Sequence, residues 1–324
     1  MLLKTISIYN FKRIIKLIFS LLILVFIVIY LINQQDKLIL ISKTNHNILF
    51  KIIVCGLLSS LAIAIGFRNS MILFNVPLKI KEWIGLSLTN TMYSYIIPFQ
   101  GSMLLRAKYL KSKYKFEYSK YAALSGGSLI IGFWVAGISA LILLLTSYIN
   151  TGLYNKPLIL MVGSLLVLTL IMSLILWYIP ENRLKTGWKE LDNIIAQIIT
   201  GVKVFKTNTK QLIVISITYL FSFLLLGLRL YFSFQSVDIS VGLTDILIIQ
   251  MLAVFSMVLA ITPGNLVVRE GIIGLLSNTI GIPIEISFLA ATIDRAIGMA
   301  IIFLFGTIYH FILMRELNDD LTEK

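Results

Sequence analysis

The chain has 324 residues, of which 58% are apolar and only 13% charged, against about 25% charged in soluble domains. With a mean hydropathy of +0.93, most segments gain free energy on leaving water, which excludes a soluble enzyme, a secreted disulfide scaffold and a disordered chain. The net charge of +13 sits in short stretches between apolar runs, where cations orient a membrane protein and meet anionic headgroups rather than nucleic acid.

In chain order, the first apolar run is Ile14 to Ile32, preceded by Lys4, Lys12 and Arg13. Its 19 residues reach about 28 Å as a helix, enough to cross a bilayer core. It leaves through Leu31-Ile32-Asn33-Gln34-Gln35 without a small-x-small cleavage pattern, so it is expected to stay as a transmembrane helix. Five further stretches are long and apolar enough to span: 48–67, 121–147, 158–179, 211–234 and 286–313. The single cysteine, Cys55, lies inside the first of these, so no intrachain disulfide forms.

Two more apolar stretches are interrupted, 83–105 at Pro98-Phe99-Gln100-Gly101 and 246–280 at Thr262-Pro263-Gly264-Asn265. Proline removes a helix donor and glycine weakens the turn, so each should divide into two short helices. Charge decides whether they cross. Segment 68–82 carries Arg68, Lys79 and Lys81, and segment 106–120 carries Arg106, Lys108, Lys111, Lys113, Lys115 and Lys120. Both belong in the cytoplasm by the positive-inside rule, so the piece between them enters and leaves on one face. The expected architecture is an all-α polytopic membrane protein of about six transmembrane helices plus two re-entrant broken-helix hairpins. Both termini are cytoplasmic in that topology, and 21 of the 28 Lys and Arg fall on the cytoplasmic side (Lys16, at the inner end of the first span, counted with them), 4 lie outside and 3 (Lys51, Arg229, Arg295) lie in the other spans.

The chain also repeats. Ile48–Phe67 and Gln211–Phe234 start 163 residues apart, and Pro98 and Pro263 are 165 apart. Each proline precedes an arginine, Arg106 or Arg269, and each arginine precedes a run rich in small residues beginning at Ala122 or Ala290. Within one membrane domain over 1–324, repeat 1 covers about 14–147 and repeat 2 about 158–313. Under the topology above the two are inverted, an arrangement that transporters use for alternating access.

Thr262 to Gly271 is the most specific stretch: a helix break, then a fresh helix start with Arg269 and Glu270. A helix N-terminus offers free N–H groups to an anion, and an arginine adds a forked contact to phosphate. Arg269 and Glu270 point about 100° apart on one helix and cannot pair well with each other. Asp294 and Arg295 lie deep in the last span, where ionisable groups are costly unless partnered. Lipid headgroup contacts are therefore expected at Arg106, Arg269 and Arg295, and ion coupling at Asp294 or Glu270. The helix breaks fall at Pro98, Gly101, Pro263 and Gly264. Arg229 and Lys51, near span ends, are expected to snorkel. His46 and His310 are isolated, so no metal is expected. There is no phosphate loop, no H-E-x-x-H and no paired Asp-x-Asp, so neither a cofactor nor a catalytic residue is expected.

Pro98…Gly101…Arg106, Pro263-Gly264…Arg269-Glu270-Gly271 and Ala290-Ala291…Asp294-Arg295-Ala296 resemble the transmembrane region of lysylphosphatidylglycerol synthases, which also occurs alone in flippase-like membrane proteins. The resemblance covers roughly 10–314. It implies a region that moves lipid between leaflets of the cell membrane, with Arg269 and Arg295 along the headgroup path. Two departures stand out. No synthase domain follows Met314, so the chain is not expected to make lysyl-lipid itself. Gly127 stands where the repeat would place a counterpart of Arg295. Two functions remain open: a lipid translocase acting on an anionic phospholipid, glycolipid or polyprenyl-linked lipid, or a non-transporting partner that anchors a glycosyltransferase or lipid-modifying enzyme. Oligomeric state is not legible.

Overall fold

The computed structural model describes residues 45–97, 101–152, 155–178, 203–205, 208–259 and 262–322. The expected first span at 14–32, the break residue Pro98 and nearly all of 180–210 lie outside the described residues. Every regular element among the described residues is helical. The first four helices are α1 (His46–Leu73), α2 (Ile80–Ser94), α3 (Ser102–Tyr114) and α4 (Tyr118–Thr151). They are followed by α5 (Lys156–Tyr178), α6 (Thr209–Gln235), α7 (Leu243–Ala253), α8 (Val268–Asn278) and α9 (Ile284–Thr322). Of these, α1, α4, α5, α6 and α9 are long and apolar enough to cross a membrane, which makes this a multi-pass membrane protein.

Local chemistry sets the ends. Asn45 opens α1 by accepting the Asn47 N–H at 3.0 Å, and Asn208 opens α6 by accepting from Gln211 at 3.2 Å; both satisfy donors that a helix start leaves free. The Gln211 side chain also donates to the Asn69 carbonyl (3.0 Å), tying the start of α6 to the end of α1. α4 closes at Gly152, whose φ of 65° only glycine adopts easily, with its N–H returned to Tyr148.

Two boundaries differ from expectation. Segment 106–120 is mostly helix: α3 continues to Tyr114 and α4 already begins at Tyr118. Its Leu, Ala, Lys and Arg residues are good helix formers, and the helix stops only where Lys115 turns left-handed (φ 52°). Likewise α9 runs to Thr322, past the expected end at 313, because nothing after Leu313 breaks a helix.

α1 and α6 pack antiparallel along much of their length: Asn69 meets Gln211, Gly66 meets Thr218, Gly56 meets Arg229 and Lys51 lies over the Phe232 ring. The short helices cross over. α2 lies along α9, with Gly85 against Tyr309 and Met92 against Gly306. α7 lies along α4, where the 3-10 turn that extends α7 stacks Phe255 on Phe133 at 4.7 Å. The order long helix, short helix, break, short helix, long helix thus runs over α1–α4 and again over α6–α9, with α5 between. The largest buried cluster gathers Phe133, Phe234, Ile246, Ile249 and Ile273 from α4, α6, α7 and α8.

Candidate functional site

The two interrupted segments meet. α2 ends at Ser94 and α3 begins at Ser102; α7 with its 3-10 extension ends at Leu259 and α8 begins at Val268. Tyr95, just after α2, lies so close against Gly264 that any side chain there would collide with its ring. Gly264 (φ 58°), Asn265 (φ 57°) and Val267 (φ 70°) all take left-handed backbone, which is costly for the β-branched Val267. Side chains hold the turn: Thr262 Oγ1 donates to the Leu266 carbonyl at 2.9 Å, and Asn265 Nδ2 donates to the Ser256 carbonyl and hydroxyl, each at 2.9 Å. The turn aims the first residues of α8 at α9.

There, adjacent residues of α8 pair with adjacent residues of α9 in crossed sign. Arg269 Nη1 reaches Asp294 Oδ2 at 3.1 Å, and Arg295 Nε reaches Glu270 Oε1 at 2.7 Å. Arg269 and Glu270 do not pair with each other, as their angular separation requires. Arg269 Nη2 also donates to Gln250 Oε1 of α7 (2.8 Å), and Arg295 Nη1 donates to the Gly264 carbonyl (2.8 Å). The Arg295 guanidinium lies 5.7 Å from the Tyr95 ring centre. Glu270 stands in the first turn of α8 and is 2% exposed, so the chain's own carboxylate occupies the helix end expected to face a headgroup.

Arg229 overturns its expected role. It does not snorkel. It is 9% exposed and grips Asp294 with a two-pronged pair, Nε to Oδ1 at 2.6 Å and Nη2 to Oδ2 at 2.9 Å. Asp294 is 0% exposed and serves two guanidiniums, Arg229 and Arg269. An unpaired carboxylate at this depth would cost several kcal/mol; paired, it joins α6, α8 and α9. The signal was in the sequence: Asp294 is the one acidic residue inside the expected full spans, so a span arginine had reason to seek it. The close approach needs Gly298, where an added Cβ would stand 2.9 Å from Arg229 Nη1.

Arg106 stands apart from this network. Its guanidinium lies 4.2 Å from the Phe67 ring centre, and Phe67 is eleven residues along α1 from Gly56, about 16 Å of helix. With the Asn90 amide oriented to suit its neighbours, Arg106 Nη2 donates to it at 3.1 Å, while Nε has no partner among the described residues. Each half therefore sets the arginine of its second short helix against an amide of its first, Arg106 with Asn90 and Arg269 with Gln250. Only the second half adds a carboxylate. Gly127 packs against Phe205.

A second polar cluster ties α2 and α3 to α9. Glu82, 0% exposed, accepts from the Lys79 N–H (2.7 Å) and the hydroxyls of Tyr109 and Tyr114. Lys113 lies 3.2 Å from Glu82 and 3.7 Å from Glu316. Burial pushes the Glu82 carboxyl up, but the Tyr114, Lys79 and Lys113 donors outweigh it and hold the group below the usual carboxylate range.

Beside the Arg229 end of the network is a cavity of about 110 Å³, lined by Ser59, Ser60, Ser87, Thr91, Tyr95 and Arg229 together with apolar groups. One of its walls is Ile63, 36% exposed on the apolar outer face of α1. The cavity mixes hydroxyls and one guanidinium with a larger share of apolar lining, and is partly open between α1, α2, α6 and α9.

These features define a multi-pass helical membrane protein with charges buried where two broken helices meet. A family model described as the lysylphosphatidylglycerol synthase TM region matches residues 13–306. The chain belongs to that family, as its Pro263-Gly264…Arg269-Glu270-Gly271 and Asp294-Arg295 motifs suggested. Among curated proteins, none matches.

Proposed function

We propose that the chain moves a lipid with an anionic headgroup between the two leaflets of the cell membrane by alternating access. The observation that carries this reading is a partly open cavity of mixed polar and apolar lining, beside a buried charge network and bordered by the exposed Ile63 of α1. A lipid needs both parts: a polar seat for its headgroup and a sideways exit for its acyl chains.

In this reading α1–α4 and α6–α9 are inverted repeats, with α2–α3 and α7–α8 as re-entrant hairpins and both termini in the cytoplasm. Antiparallel packing of α1 on α6, and the crossover of α2 onto α9 and α7 onto α4, support it. Arg106, Arg269 and Arg295 border the headgroup path, and Asp294 and Glu270 hold the arginines in place; a driving ion would act by competing for those carboxylates.

The test is reconstitution in liposomes with fluorescent phosphatidylglycerol and a reagent that reports which leaflet it occupies. Wild type should equilibrate the label, Arg269→Lys or Arg295→Lys should slow it, and Arg→Ala at either site should slow it further. The partner reading predicts no translocation by wild type. Undiminished translocation by a well-expressed Arg269→Ala, Arg295→Ala double variant would remove these arginines from the path.

A further inference from the structure

We propose that the cavity between α1, α2, α6 and α9 is a seat for one tetrahedral oxyanion of the phosphate type, with Arg229 and Ser87 as its anchoring donors. This rests on the translocase reading and deepens it by naming the group recognised.

Charge is the first argument. The network holds three guanidiniums, Arg229, Arg269 and Arg295, against two carboxylates, Asp294 and Glu270, leaving one positive charge uncompensated. The surplus sits at the Asp294 end, where one carboxylate serves two arginines, and the cavity touches that end through Arg229. Excess charge at membrane depth draws a counter-charge. Among the described residues the cavity lining contains no carboxylate, which leaves room for a ligand to supply the counter-charge.

The second argument is donors. Arg229 uses Nε and Nη2 on Asp294; its Nη1 has no partner among the described residues and runs beside Gly298, which lines the cavity. Ser87 is 2% exposed and lines the same cavity, and its hydroxyl has no partner among the described residues. That hydroxyl borders the cavity that Arg229 also lines, so a ligand oxygen there meets a donor not already engaged. Ser59, Ser60 and Thr91 donate to carbonyls of their own helices, bonds that a turn about χ1 exchanges for a ligand oxygen.

Size is the third. A volume of about 110 Å³ admits one four-oxygen anion with water beside it. A cation is disfavoured by Arg229, and an uncharged polar ligand would leave the surplus charge unmet.

The source of the phosphate, a lipid or the free ion, is separated by experiment. Purified full-length protein in a phosphate-free detergent is titrated with inorganic phosphate, with short-chain phosphatidic acid and with the matching diacylglycerol, and thermal stabilisation is read. Stabilisation by phosphatidic acid and not by diacylglycerol, weakened about tenfold or more in Ser87→Ala, Thr91→Val, supports the seat and a lipid source. Stabilisation by inorganic phosphate alone, equally sensitive to those changes, supports the seat but removes the lipid reading. An independent readout needs no hydroxyl deletion: Ser60→Cys in a Cys55→Ala background should be shielded by the bound ligand from a methanethiosulfonate reagent. Equal stabilisation by diacylglycerol, no shielding by either phosphate compound, or binding indifferent to Ser87 and Thr91 overturns the proposal. Translocation of a phosphate-free lipid at the wild-type rate would also overturn it while leaving the translocase reading intact.

Discussion

Asp294 pairs with two arginines from two other helices, so its replacement exposes more than one lost contact. Asp294→Asn keeps the shape and removes the charge, leaving Arg229 and Arg269 to repel across the former carboxylate. The expected cost is about 3–5 kcal/mol, as for other broken buried pairs, read as a lowered unfolding midpoint in detergent. A double-mutant cycle of Arg229→Gln with Asp294→Asn should show strong coupling; additivity would mean the pair is not formed. Glu82 gives a pH-dependent counterpart. Its carboxyl is held below the ordinary range, so its stabilisation is fully present above about pH 4.3, the unfolded value, and is lost as pH falls through the lower folded value. Glu82→Gln should therefore destabilise by about 1–3 kcal/mol at pH 7, and the gap to wild type should close in strong acid. A gap that stays constant with pH would deny the carboxylate its charged role.

Among the elements, the second break depends on backbone that few residues tolerate. Gly264→Ala combines a positive φ with a collision against Tyr95 and should destabilise by about 1–3 kcal/mol while displacing the Arg295 contact to the Gly264 carbonyl. Gly271, inside α8, has open space around an added Cβ, so Gly271→Ala should be neutral or slightly stabilising. Unfolding midpoints of the two variants make the comparison, and equal effects would count against the turn's strained geometry. This break was legible because proline and glycine act locally. The long helices were legible because hydropathy needs no partner, and their ends were misplaced where good helix formers carried α3 and α9 onward. Arg229 was misread for the opposite reason. Its distance to a span end is a local property, whereas its pairing with Asp294 across 65 residues exists only after α6 and α9 pack. The same holds for the cavity, whose hydroxyls come from α1 and α2 and look like ordinary helix serines and threonines one at a time.

For the whole molecule, orientation is the property to test next. The Lys and Arg distribution predicts that externally added thiol reagent will miss Ser112→Cys and reach Ser236→Cys in a Cys55→Ala background; labelling of position 112 from outside would invert the first hairpin. Packing order has a further consequence, for synthesis. α2 lies along α9, and the bond between Tyr93 and His310 joins residues 217 apart in the chain. At about 5–20 residues per second, the ribosome needs roughly 10–40 s to deliver α9 after α2 has emerged. During that interval Tyr93 lacks its His310 partner, and Gly85 and Met92 lack the helix that later packs on them. A nascent chain halted before α9 should accordingly be held by the insertion machinery or cleared by membrane proteases, while chains halted after residue 316 escape. The wait ends only when α9 arrives, so quality control of α2 should be a decision deferred until α9 has been made.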